Sequence, residues 1–430
     1  MVRKQRKFPN LLDGKSKVSA QTFLNGEIHD WYRITLGYSD HLVSSLLDEM
    51  EIQPGDKVLD PFCGTGTTLI ECMKKEFKSV GIDANPSSCF AAKVKTNWSL
   101  NVYELMGAME GVVEAYPIFL EDKKALRLDK TYQYLKNSGM IDRKWISEAP
   151  LLKSIAIKSA INSLKVKSSL RNALTLALLA EVVKGASNVK FGPEIYCGKS
   201  KKDHNVLRGF QKRINEMKAD LGKTSGLTIK KAKVFYGDSR SCDALTMVKK
   251  SELFNAIICS PPYPTEHDYT RNARLELAFL EEVRDNESLR VIKRSMIRSH
   301  TKGIYQNDSD AKQVANYKAI QSLADILQRK GRLKTDGFSK LYPKVLQEYF
   351  GGMKKHLTSV LPYLAPKAKC AYIVGDQSSY LRVHVPTAEI LASIANKVGY
   401  KVVGIKHWRT RWSSSRSRKI NENILLLQKK

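Results

Sequence analysis

Apolar positions along this chain keep two rhythms, separated by long stretches in which neither holds. Leu42, Leu46, Leu47 and Met50 recur at helix spacing from about residue 40 to a stop at Pro54-Gly55, so a helix is predicted there. Short apolar runs of strand length follow at 57–60 and 78–83, closed by Asp60 and Asp83, with a helix predicted over 67–75 between them. Strand, helix, strand in that order defaults to parallel strands and a right-handed connection.

From 86 to 228 the pattern changes to long mixed helical segments with Lys-rich stretches and little strand character. Strand rhythm resumes at 232–238, which ends in Asp238, and at 254–259. A second polar segment spans about 264–338, with Arg290, Lys293, Arg294, Arg298 and Lys302. Beyond it the pattern predicts a helix at 345–361, a strand at 370–375, a helix at 387–398 and strands at 401–405 and 423–428, with no internal repeat. Without the two insertions, about seven strands alternate with helices, and the last two leave no room for a helix between them. An α/β sheet ending in an antiparallel hairpin is the economical solution.

Charge narrows the partner. The 430 residues carry 72 Lys and Arg against 43 Asp and Glu, a formal net charge of +29. Residues 151–235 alone hold 18 Lys and Arg against 5 Asp and Glu, so the excess is concentrated in the first insertion. A polyanion, nucleic acid foremost, would offset it. Seven cysteines lie scattered without a C-x-x-C pair or zinc-ligand spacing, which fits a reducing cytoplasm and no metal. Neither a secretion signal nor an apolar run of about 18 residues is visible, so export and membrane spanning are not expected.

Two motifs carry candidate chemistry. In Asp60-Pro61-Phe62-Cys63-Gly64-Thr65-Gly66-Thr67-Thr68, glycines allow a sharp turn and close approach of a ligand to a helix N-terminus. Gly-x-Gly alone also describes an ordinary tight turn. Asp83, ending the second strand, stands where dinucleotide folds place an acid on ribose hydroxyls, but position 69 is Leu and nothing is arranged for a pyrophosphate. Ser260-Pro261-Pro262-Tyr263 follows an apolar strand; its prolines fix φ and remove two backbone donors, leaving outward carbonyls to accept from a planar amine. Cys259 reads as a small core residue rather than a nucleophile. Glu266, His267, Asp268, Tyr269 and Arg271 read as a binding or loop-ordering cluster.

Together the motifs resemble the signatures of the S-adenosylmethionine-dependent methyltransferases that modify exocyclic amines of DNA bases, the cytosine-N4 and adenine-N6 family of restriction-modification type. The resemblance implies an α/β, Rossmann-like, seven-stranded class I methyltransferase core with helical insertions. It implies a basic arm at 1–22, core at 23–86, a mainly helical target-recognition insertion at 87–228, core with the catalytic turn at 229–264, a DNA-contacting polar insertion at 265–341 and core at 342–430. S-adenosylmethionine would be held by Asp60, Pro61, Phe62, Cys63, Gly64, Gly66 and Thr67, with Asp83 and Ala84 at the ribose and Asp238 and Ser239 at the adenine. Trp31 and Tyr32 would serve the amino-acid pocket, although Trp31 reads equally as a core aromatic. Ser260, Pro261, Pro262 and Tyr263 would be catalytic, Tyr263 stacking on a base flipped from duplex DNA.

Ser at the first position of the second motif accompanies cytosine-N4 transfer in this family more often than Asp or Asn, so cytosine N4 is the first expectation and adenine N6 the alternative. RNA guanine-N2 methyltransferases share similar turns but generally carry an RNA-binding domain ahead of the core; only about 25 residues precede the pocket element here. Arg409, Arg411, Arg416, Arg418 and Lys419 are expected on phosphates, and a cognate restriction endonuclease is the candidate protein partner.

Overall fold

The structure, a computed structural model, describes residues 26–33, 37–191, 195–224, 232–247, 252–412 and 419–430. The expected arm at 1–22, together with Arg416 and Arg418, lies outside the described residues. The strands among these residues are β1 (Lys57–Asp60), β2 (Lys78–Asp83), β3 (Val189–Phe191), β4 (Ile195–Cys197), β5 (Ala232–Tyr236), β6 (Phe254–Cys259), β7 (Leu364–Gly375), β8 (Tyr400–Trp412) and β9 (Lys419–Lys429). β3 and β4 form a small antiparallel pair; the other seven make one sheet in the order β5-β2-β1-β6-β7-β9-β8. The first five of that order run parallel, and β9 pairs antiparallel with both neighbours.

Period-2 alternation divides the sheet residues between two cores. Val58, Ala256, Ile258, Ala371 and Ile373 face the helix Asp40–Glu49 through Leu42, Leu46 and Leu47. Their neighbours Leu59, Ile257, Cys259, Cys370 and Tyr372 face the opposite way, onto the helices Tyr342–Val360 and Thr387–Val398. β7 and β8 run longer than their apolar runs suggest. Lys369, Lys401 and Lys406 stay paired, the last two on the sheet's edge strand, where charge is tolerated, whereas the register with β6 slips around Lys367.

The stretch after β2 is mainly helical and builds a third core in which Leu105, Val112, Leu151, Ile155 and Phe210 are buried together. That core also takes Leu275, Leu277 and Phe279 from the second polar segment. Several of its lysines are spent internally: Lys158, nearly buried, bonds Asp129 and Glu281, and Lys153 pairs with Asp203. Among the described residues no helix is long and apolar enough to cross a membrane.

Candidate active site

Parallel pairing of β1 with β6, in the register Val58↔Ala256 and Leu59↔Ile257, puts the carboxyl ends of these strands side by side. The glycine turn leaves one and Ser260 to Tyr263 leave the other, although nearly two hundred residues separate them in the chain. Both turns line a single cavity. Thr68 Oγ1 donates to the Ile258 carbonyl at 3.3 Å, and Tyr38 bonds both Thr68 and Asp60, fastening the two loops at their base.

Gly64 and Gly66 take φ of +51° and +90°, where a side chain would be strained. A Cβ on Gly64 would meet nothing within 4 Å, so the turn leaves open space on its cavity side. One oxygen of Asp83 accepts from the Gly64 amide and the other from the Asn85 amide, both at 2.8 Å, which fixes the carboxylate in the cavity wall. Burial pushes its pKa up to about 6. Thr65 Oγ1 is buried in the same wall without a hydrogen-bond partner among the described residues, a group that a hydroxyl-bearing ligand would satisfy.

Of the remaining expected cofactor residues, Tyr32, Phe62, Cys63, Thr67, Ala84, Asp238 and Ser239 line the cavity, whereas Trp31, Asp60, Pro61 and Gly66 do not. Trp31 is 2 % exposed and gives its indole N–H to Asp220 at 2.9 Å, so it joins the core of the helical insertion instead. Asp60 lies beneath the turn, wholly buried, accepting from Tyr38 and the Phe62 amide; burial raises its pKa to about 7. Pro61 contributes its carbonyl, which accepts from Ser239 Oγ. Asp238 is held by Arg240, whose Nε lies 3.0 Å from both carboxylate oxygens, and Arg240 in turn reaches Asp310.

All four residues of the second motif line the cavity. Ser260 Oγ donates to the Tyr263 hydroxyl at 3.4 Å, and the Tyr263 ring is backed by Gly375 at the end of β7. Burial pushes the thiols of Cys63 and Cys259 far above the usual range, so neither offers a thiolate.

A further part of the lining comes from the second polar segment. Lys293, Ser295 and the run from Met296 to His300 line the same cavity as the two motifs, with Tyr269. Long-range bonds hold them there: Arg298 forms a two-point pair with Asp308, Glu266 accepts from both Thr301 groups, Tyr380 donates to the Ser299 carbonyl, and Lys293 pairs with Asp268 at 2.7 Å. The cluster 266–271 thus orders this wall. Burial draws the His300 pKa down to about 4 despite Asp268 at 3.6 Å, which favours the neutral ring, and among the described residues neither ring nitrogen has a hydrogen-bond partner.

A family model described as "DNA methylase" matches residues 38–94, the stretch that carries the glycine turn and Asp83. Over 93 % of its length the chain is 24 % identical to the type II methyltransferase M.BsoBI of Geobacillus stearothermophilus, covering 83 % of that protein. It is 23 % identical to the type II methyltransferase M.AvaI of Nostoc sp., over 90 % of this chain and 81 % of the other. The chain is a methyltransferase, similar along most of its length to type II DNA methyltransferases. The solved rRNA methyltransferase aviRa from Streptomyces viridochromogenes overlays 93 % of this methyltransferase and 89 % of its own chain at 10 % identity, with a TM-score of only 0.30.

The methyl donor of this methyltransferase is S-adenosylmethionine, which supplies an electrophilic methyl group on a sulfonium. The wall around Asp83 fits it: an oriented carboxylate for hydroxyls, an unpartnered Thr65 hydroxyl, open space at Gly64 and no third glycine for a pyrophosphate.

Proposed function

We propose that this methyltransferase modifies the exocyclic N4 amine of cytosine in duplex DNA, with the base flipped into the cavity, as the cytoplasmic modification partner of a cognate restriction endonuclease. The observation that carries the reading is the β1–β6 adjacency, which opens an amine-accepting turn onto the wall suited to the methyl donor. In this reading Asp83 holds the ribose of the donor and Tyr32, with the turn from Phe62 to Thr67, its remaining atoms. Asp238 meets the adenine as a carboxylate already oriented by Arg240.

On the other side, the two N–H groups of the target amine donate to Ser260 Oγ and the Pro261 carbonyl. That draws the nitrogen toward a pyramidal shape and turns its lone pair to the methyl group. Tyr263 stacks on the base and keeps it flipped. The amine attacks directly and its surplus proton leaves to water, so no side chain need become a covalent nucleophile. Ser260 favours cytosine over adenine, and the type II methyltransferases among the relatives, with the net charge of +29, support DNA as the polymer.

Incubating the protein with methyl-labelled donor and mixed DNA and RNA, then identifying the labelled nucleoside by mass spectrometry, tests this. N4-methyldeoxycytidine is expected. N6-methyldeoxyadenosine would overturn the base, and label confined to RNA would overturn the polymer.

A further inference from the structure

β8 and β9 outrun the sheet. Gly375, the last residue of β7, pairs with Glu422, yet the two strands stay paired for three more residues, to Trp412 opposite Lys419. At about 3.3 Å per residue that ribbon projects roughly 10 Å past Gly375, with the Asp376 amide still bonded to the Asn421 carbonyl at its root. It leaves at the end where Tyr263 sits: the Tyr263 ring lies against Gly375, and the Glu422 side chain lies against the same spot.

The ribbon is also built to hold position. Glu422, 3 % exposed, accepts from both Arg409 and Arg411, so these two arginines brace its root. At its far end Trp412 is 58 % exposed, while Trp31, Trp98, Trp145 and Trp408 are each no more than 9 % exposed. Lys419 Nζ stands 5.7 Å from the Trp412 ring centroid. Alternation puts Trp412 and Lys419 on one face of the ribbon and Arg411 and Ile420 on the other. An indole left in water beside a cation, on a braced arm with one buried carboxylate against three basic side chains, matches a partner that offers flat rings and negative charge together.

We propose that this ribbon is an arm that engages the DNA duplex beside the flipped base, Trp412 stacking on an exposed base and Lys419 meeting a phosphate. The proposal rests on the reading of DNA as substrate and adds a contact outside the cavity. Base–aromatic stacking is worth about 1–3 kcal/mol by alanine substitution, so the effect falls within easy measurement.

The test is methyl transfer from labelled donor to unmethylated genomic DNA by the full chain, with wild type, Trp412→Ala, Trp412→Phe and Lys419→Ala compared. Trp412→Ala is expected to lower kcat/KM for DNA about tenfold or more while donor affinity stays at the wild-type value, with Trp412→Phe restoring most of the loss. Lys419→Ala is expected to reduce the salt slope of DNA binding by about one. An active wild type with an equally active Trp412→Ala overturns the arm and leaves the proposed function standing. A parallel loss of donor affinity in Trp412→Ala overturns it as well, by making the residue structural. A wild type that labels no DNA overturns the substrate reading and the arm with it.

Discussion

Gly375 and Tyr263 are in direct contact: a Cβ placed on Gly375 would stand 2.9 Å from Tyr263 Cε2 and 3.0 Å from Cδ2. The bare backbone at the end of β7 is therefore the floor on which the aromatic ring of the Ser260–Tyr263 turn rests.

Gly375→Ala is accordingly expected to push the ring toward the cavity without disturbing the donor wall. Displacing a positioning group by about 1 Å can cost on the order of 100-fold in rate, so turnover should fall by about that factor while calorimetric donor affinity is retained. Tyr263→Ala should show the same division. Full activity in both would remove Tyr263 from the reaction.

Asp83→Ala removes an acceptor that the Gly64 and Asn85 amides orient. Hydrogen bonds to a charged group contribute about 1.5–3 kcal/mol, so donor affinity should weaken roughly 10- to 100-fold, with the fold retained by circular dichroism. Unchanged affinity in calorimetry would take the ribose away from Asp83.

Burial raises the Asp60 carboxyl from its ordinary 3.8 to about 7. Between those values the folded chain keeps a proton that the unfolded chain releases. The stabilisation is complete below 3.8 and is lost as pH rises to about 7, beyond which this group adds no slope. Asp83, raised to about 6, acts in the same direction over a narrower window. Asp60→Asn should flatten the decline of stability across that range in denaturant unfolding; an identical pH profile in the variant would contradict the assignment.

Lys165, Lys190, Lys199, Lys202, Arg208 and Lys218 are exposed on the helical insertion. If they meet phosphates, duplex affinity should fall steeply with salt, each phosphate contributing about −0.9 to the log–log slope. A flat response in fluorescence anisotropy would exclude that surface as the DNA face.

Sequence pattern revealed the elements better than their arrangement. β1 and β6 coincide with their apolar runs because both are buried on two faces, whereas β8 was underestimated because an edge strand can alternate lysine with valine. The order of strands was not legible, since no single run encodes its neighbour. Both motifs stood out because only glycine and proline meet their backbone demands. The wall from Lys293 to His300 did not, because its placement depends on partners such as Asp268 and Tyr380, 25 and 81 residues away. Trp31 was ambiguous for the same reason: Asp220, which takes its indole, is 189 residues away.

Because the two cavity-lining turns spring from adjacent hydrogen-bonded strands, the distance between them is set by the backbone ladder itself. Drift of one half of the cavity from the other would break main-chain bonds in the middle of the sheet. Under the proposed function, divergence in the helical block would alter which DNA is chosen while the spacing at which the methyl group crosses stays put.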